Sequence, residues 1–446
     1  MQVSRASEWC RGRVLKRHDE VARRTDELVS TLPDLELAHP LPPAPGSSRV
    51  GTIAETGRRH TARVHVLVAP DSFGGTLSAV EAAAAIAGGW ATAASADVVC
   101  ALPLSDGGPG FVDVLAAALG GRREHLQVTG PLGRPSGAAL LIDGDTAYVE
   151  SAQACGLHLV SADDRNPAVA TTYGVGELLH AALDAGARTV MVGLGGSATN
   201  DGGAGMLTAL GLRLLDASGA DLPLAVPALR RAHRADPANL DPRLAGVDLV
   251  AASDVDNPLL GPAGASAVYG PQKGAGPAEV ALFDDCLAHY AAILARDVPG
   301  AARLANAPGA GAAGGLGYGV LVAGGRRVSG ISTVLAVLRL AERVSQADLI
   351  ITGEGSFDGQ SLRGKVVSGV ATVAHAAGKP CLVLAGQVKL APGELVGTGV
   401  SAAYSVAESA GSVAAAMARP GEELAALAER IAAQGSGDGR WARPAG

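Results

Sequence analysis

The stretch TVMVGLGGSATNDGGAGMLTALG, residues 189–211, decides how this chain is read. An apolar run ends in a glycine-rich loop carrying Ser197, Thr199, Asn200 and Asp201, and a helical pattern resumes at about Ala204. Gly195, Gly196, Gly202, Gly203 and Gly205 let backbone N–H groups come close to a ligand, and the helix that follows adds its positive N-terminal end. Loops of this kind bind anions. A carboxylate beside such a cradle points to Mg²⁺, or to a base that takes a proton from a hydroxyl.

The pattern recurs three more times. VHVLVAP (64–70) leads into Asp71, Ser72, Phe73, Gly74 and Gly75, and VDLVAA (247–252) into Ser253, Asp254, Val255 and Asp256. ADLIIT (347–352) leads into Gly353, Glu354 and Gly355, then Asp358, Gly359 and finally Gly364 and Lys365. Each acidic residue follows the carboxyl end of an apolar strand, where open α/β sheets bind ligands, so the four strand ends are expected to share one cleft.

Composition bounds the rest. A chain of 446 residues with 48% hydrophobic content is long enough for two or three domains with sizeable cores. A net charge of −7 argues against nucleic acid as a partner. The five cysteines show no CxxC and no zinc spacing with histidine, which predicts reduced, mostly buried thiols. With no signal-peptide pattern and no long apolar run, the expectation is a cytoplasmic protein that does not contact a membrane. Only five of the 36 basic residues are lysines, and two of them, Lys273 in GPQKGAG and Lys365 in LRGK, lie in glycine loops. A compact ammonium in such a loop suits phosphate contact.

Strand and helix signals alternate from about residue 63: strands at 64–69, 97–101, 124–128, 138–142, 146–150, 189–194, 247–252, 348–352 and 381–385. Helices are expected at 76–90, 110–119, 174–186, 204–211, 277–296, 332–344, 365–377 and 421–433. This alternation predicts an α/β protein with a mainly parallel sheet, and the strand-rich 124–150 segment suggests a second domain inserted into the first. Residues 1–62, charged and proline-containing, read as a disordered extension or as sequence upstream of a later start, and 435–446 as a flexible tail. Two near-motifs are set aside. Gly309, Gly311 and Gly314 match GxGxxG without a preceding strand, and GQSLRGK (359–365) nearly matches a Walker A spacing but has Val366 where Ser or Thr would hold Mg²⁺.

VAPDSF, LSDGG, VTGPLGRP, ESAQACGL, TTYGVGELL, GGSATNDGGAGM, DVDNPLLGPAGASAVYGPQKGA, PGAGAAGGLG and ITGEGSFDGQSLRGK occur in the order found in the type 1 glycerate kinase family, which the chain resembles from about residue 64 to 388. The resemblance implies an ATP-dependent, Mg²⁺-assisted kinase that phosphorylates D-glycerate to 2-phosphoglycerate, acting as a monomer or homodimer. It implies two α/β domains with the active site between them: a Rossmann-like parallel-sheet domain (63–122 plus 281–434) and an inserted α/β domain similar to swivelling phosphohistidine domains (123–280). Asp201, Lys273 and Lys365 are then the catalytic candidates, with Asp201 either on Mg²⁺ or deprotonating glycerate. Gly195, Gly196, Ser197, Thr199, Asn200, Glu354 and Gly355 are expected at the nucleotide, and Asp201, Asp256 and Asp358 at the metal. Asp71, Ser72, Ser105, Asp106 and Arg134 are expected at the substrate. The chain departs from the family pattern at Gly74, Pro109 and Ser356–Phe357, which bears on substrate choice. A kinase for a related hydroxy acid, one yielding 3-phosphoglycerate, and a non-catalytic sugar-acid sensor are the competing readings.

Overall fold

The computed structural model describes residues 63–362 and 365–438. The expectation for residues 1–62 lies outside them. Thirteen strands are found among the described residues: β1 (His65–Val68), β2 (Val98–Ala101), β3 (Arg122–Thr129), β4 (Pro135–Asp143), β5 (Thr146–Glu150), β6 (Thr189–Gly193), β7 (Arg213–Leu215), β8 (Arg234–Asp236), β9 (Asp248–Ala252), β10 (Arg326–Val328), β11 (Leu349–Phe357), β12 (Cys381–Val388) and β13 (Ala402–Ser405). They fall into two compact units, divided at Leu104/Ser105 and Val334/Leu335.

The first unit carries a five-stranded sheet in the order β13-β12-β11-β1-β2, parallel throughout. Numbered within the unit the order is 2-1-3-4-5, the flavodoxin-type doubly wound arrangement, with its switch point between β1 and β11. The inner strands β1, β11 and β12 are buried over most of their length, which is why they read as apolar runs such as VLV in β1. Val66 and Val68 pack under Ala82, Ile86 and Trp90 of the helix Ala79–Ala93 and Leu424, Leu427 and Ile431 of the helix Pro420–Asp438. Ser78 and Glu81 close a capping box at the start of the first of these helices. The second runs to Asp438 and so includes the start of what the sequence suggested was a loose tail.

The second unit carries a six-stranded mixed sheet in the order β10-β9-β6-β5-β4-β3, of which β5, β6, β9 and β10 are parallel and β3 and β4 antiparallel. Its boundaries are wider than the expected 123–280. The helices Phe111–Leu119, Pro277–Asp297 and Ala312–Val322 belong to it because their apolar faces enter its core: Phe111 meets Tyr148 edge to face, and Leu287, Tyr290, Leu316 and Tyr318 pack among Met206, Leu207 and Leu259. Cys155, Cys286 and Cys381 are buried free thiols, as expected. No helix of the described residues is long and apolar enough to cross a membrane.

Candidate active site

The four acidic strand ends divide two and two between the sheets. In the five-stranded unit, Asp71 follows β1 and donates its backbone N–H to Gly353 O at 2.8 Å, which ties the two strands flanking the switch point. Glu354 and Gly355, expected in a loop, lie within β11, which is five residues longer at its carboxyl end than the predicted 352 because it stays paired with β12 as far as Phe357↔Val388. Gly353 has no room for a side chain, since a Cβ there would lie 2.0 Å from Leu384 O. Asp358 closes the turn after β11: its Oδ1 accepts from Gln360 N at 2.9 Å, and its other oxygen is uncommitted. Lys365 immediately precedes the helix Val366–Ala376 with its side chain exposed. Asp71 and Ser72 are half-buried, and Asp71 Oδ1 accepts from Ser72 N.

In the six-stranded unit, the loop after β6 is almost wholly internal. Gly195 and Gly196 reach the surface; Thr199 and Asn200 are fully buried, and Ser197 and Asp201 nearly so. Gly196 adopts a φ of +65°, and a Cβ there would lie 2.9 Å from Pro109 Cγ, so the SDGGPG loop 105–110 lies directly against it. Within that loop Ser105 Oγ accepts from Gly107 N and Asp106 Oδ1 from Gly108 N at 3.1 Å, leaving Asp106 Oδ2 open.

Asp201, expected on a metal or at the substrate proton, accepts four hydrogen bonds from the protein. Its Oδ2 accepts from Thr172 N (2.9 Å), Thr172 Oγ1 (2.8 Å) and Gly205 N (3.1 Å), and its Oδ1 from Gly203 N (3.1 Å). Burial raises its pKa, and these donors oppose the shift. Lys273 is only 2% exposed, the reverse of a solvated loop lysine. Its Nζ donates to Ser197 Oγ at 2.9 Å and Thr199 O at 2.7 Å, and burial brings its pKa down to about 8 against the pull of Cys155 and Asp201. Thr199 and Asn200, expected at the nucleotide, instead face inward; Asn200 Nδ2 donates to Ser266 Oγ.

After β9, Asp254 accepts from Ser329 Oγ (2.6 Å) and Ile331 N (2.9 Å). Asp256, expected on a metal, is exposed and ion-paired with Arg327 at 2.6 Å. Arg327 and Ser329 had no signal in the sequence, because β10 is three residues long and two of them are arginines. Thr172 was likewise passed over, though the run TTYGVG ahead of an apolar helix offered it as a cap. Arg134 is exposed at the GPLG turn, and its side chain has no ion pair or hydrogen bond among the described residues. The GxGxxG decoy has a packing role: a Cβ at Gly314 would lie 1.9 Å from Thr199 O, and one at Gly311 2.3 Å from Pro258 O. Among the described residues no group of three or more His, Cys, Asp or Glu side chains is placed to hold a metal ion.

The chain matches the family model described as the glycerate kinase family over residues 66–435. The chain belongs to the glycerate kinase family. It is 43% identical over 373 residues to the glycerate kinase of Bacillus subtilis and 41% identical over 371 residues to the glycerate 2-kinase of Escherichia coli, in each case covering 82% of this chain and 97% of the relative. A crystal structure from Salmonella typhimurium LT2, provisionally named glycerate kinase 2, superposes with a TM-score of 0.71 at 39% identity, covering 84% of this chain and 98% of its own. The chain is accordingly a kinase that phosphorylates glycerate, a small-molecule substrate.

Proposed function

We propose that this kinase transfers the γ-phosphoryl group of ATP to D-glycerate with the help of Mg²⁺ and that the product is 2-phosphoglycerate. The observation that carries the reading is the loop after β6, which is buried except at Gly195 and Gly196, so that it offers a ligand its backbone at the carboxyl end of a parallel strand. The name of the Escherichia coli relative supports the 2-position.

Phosphoryl transfer asks a protein for positioning and charge stabilisation more than for covalent chemistry. Gly195 and Gly196 meet phosphate oxygens through backbone N–H groups. Asp106, with its uncommitted oxygen, receives the proton of the glycerate hydroxyl beside Ser105, and the exposed guanidinium of Arg134 pairs with the glycerate carboxylate. In the five-stranded unit, Lys365 presents an ammonium to phosphate at a helix start, and Asp71 and Ser72 line the switch point. Mg²⁺ typically takes one or two carboxylates and completes its shell with phosphate and water oxygens, and the open oxygen of Asp358 fits that donor set. When bound, the ion neutralises charge on the phosphates.

³¹P NMR of the purified protein with D-glycerate, ATP and Mg²⁺ tests the reading. A new phosphomonoester doublet, from phosphate on a CH carbon, is the expected result. A triplet would assign 3-phosphoglycerate, and an unchanged ATP spectrum would remove the kinase activity toward this substrate.

A further inference from the structure

Lys273 and Asp201 are the two charged side chains buried behind the Gly195–Asp201 loop, and both are consumed by the protein. The ammonium of Lys273 spans the inner side of the loop, from Ser197 Oγ to Thr199 O. Asp201 holds the loop's other end. It receives Thr172 at the start of the helix Tyr173–Asp184, and Gly203 and Gly205 at the start of the helix Ala204–Ala209. The Thr172 hydroxyl that donates to Asp201 also accepts from Met206 N at 2.9 Å, so one carboxylate and one hydroxyl lock two helix starts to the loop. Behind the loop, Gly202 N donates to Gly314 O, and the backbones of Gly203 and Gly319 touch, so the loop cannot relax backwards. A metal at Asp201 would have to share a carboxylate whose Oδ2 already accepts three hydrogen bonds and whose Oδ1 accepts one, and a phosphate at Lys273 would have to enter a site from which solvent is excluded.

We propose that Lys273 and Asp201 are positioning residues that brace the Gly195–Asp201 loop from its buried side, and that neither touches metal, nucleotide or glycerate. The inference rests on the kinase reading above. Its consequence is that the pair controls the rate through the shape of the loop, since a misplacement of about 1 Å at a catalytic site costs on the order of 100-fold in rate.

The experiment is steady-state kinetics on wild type, Asp201→Asn, Thr172→Val, Ser197→Ala, Lys273→Met and the Ser197→Ala/Lys273→Met double variant, with ATP, glycerate and Mg²⁺ each titrated. Wild-type turnover is established first, so that failure of the kinase reading is seen separately. Expected are a kcat reduced tenfold or more in Asp201→Asn and Lys273→Met, a smaller fall in the same direction in Thr172→Val, and half-saturating Mg²⁺ and KM for ATP within about twofold of wild type. The penalties of Ser197→Ala and Lys273→Met should not add, because both break the same brace. A tenfold rise in half-saturating Mg²⁺ for Asp201→Asn, additive penalties with a raised KM for ATP, or an unchanged kcat overturns the proposal. Should the charged-site variants fail to fold, Thr172→Val and Ser197→Ala, which leave both charges in place, decide it alone: lowered kcat at unchanged Mg²⁺ and ATP dependence supports the brace, and unchanged kcat refutes it.

Discussion

At the residue scale, the charged groups of the glycine loop are distinguished by burial, which residue type does not reveal. Asp201, Asp254 and Asp256 each follow an apolar run and look alike in sequence, yet Asp201 is enclosed by four donors, Asp254 caps the helix Gly330–Val337, and Asp256 stands exposed against Arg327. Lys273 shows the same separation, and its burial has a measurable signature. With its pKa lowered from 10.5 to about 8, the folded chain has given up a proton that the unfolded chain still holds between those values. The contribution of this residue to stability therefore rises with pH across that window. Urea unfolding at pH 7.5, 9 and 10 should show a gain that Lys273→Met lacks, and parallel pH trends in the two proteins would mean that Lys273 is ordinarily solvated. The loop as a binding element was legible from residues 189–211, while the division of labour within it was not, because hydrogen-bond partners such as Thr172 lie about thirty positions away in the chain.

At the scale of elements, long apolar strands and amphipathic helices were legible, and short or glycine-rich ones were not. β7, β8 and β10 have three residues each, too few for a period to emerge, and β13 has four. The helical segment Ala312–Val322, kinked at Ala313–Gly315 where the backbone turns left-handed, was hidden by its glycines, which let the backbone lie against the β6 loop. The single helix expected at 332–344 is two, Gly330–Val337 and Leu340–Gln346, broken where Arg339 takes a φ of +53°. Gly89, inside the helix Ala79–Ala93, marks the close approach of the helix Pro420–Asp438, for a Cβ there would fall 2.0 Å from Ala425 O. Gly89→Ala should cost about 1–3 kcal/mol despite the better helix propensity of alanine, because the added carbon must push two packed helices apart. Chemical denaturation checks this, and a stabilised variant would show that the helices separate freely.

At the scale of the whole molecule, each sheet has its own core: one around Val66, Val68, Trp90 and Leu384, the other around Val149, Val192, Leu207 and Tyr290. Two independent cores predict two calorimetric transitions. Gly89→Ala should lower only the transition of the five-stranded unit, and Gly314→Ala, whose Cβ would meet Thr199 O at 1.9 Å, only that of the six-stranded unit, each by roughly 3–10 °C. A single transition lowered by both variants would show that the chain unfolds as one cooperative body. The sequence by itself determined the α/β class, the alternating elements and the glycine loops at strand ends, because periodicity and loop chemistry are local properties. It also carried the motifs by which the family is recognised. Only the tertiary structure decided that the acidic strand ends divide between two sheets, that the second unit extends from Ser105 to Val334, and that Asp201 and Lys273 face inward. Those outcomes depend on which strands pair and which side chains lose contact with water, and such contacts join residues far apart in the chain.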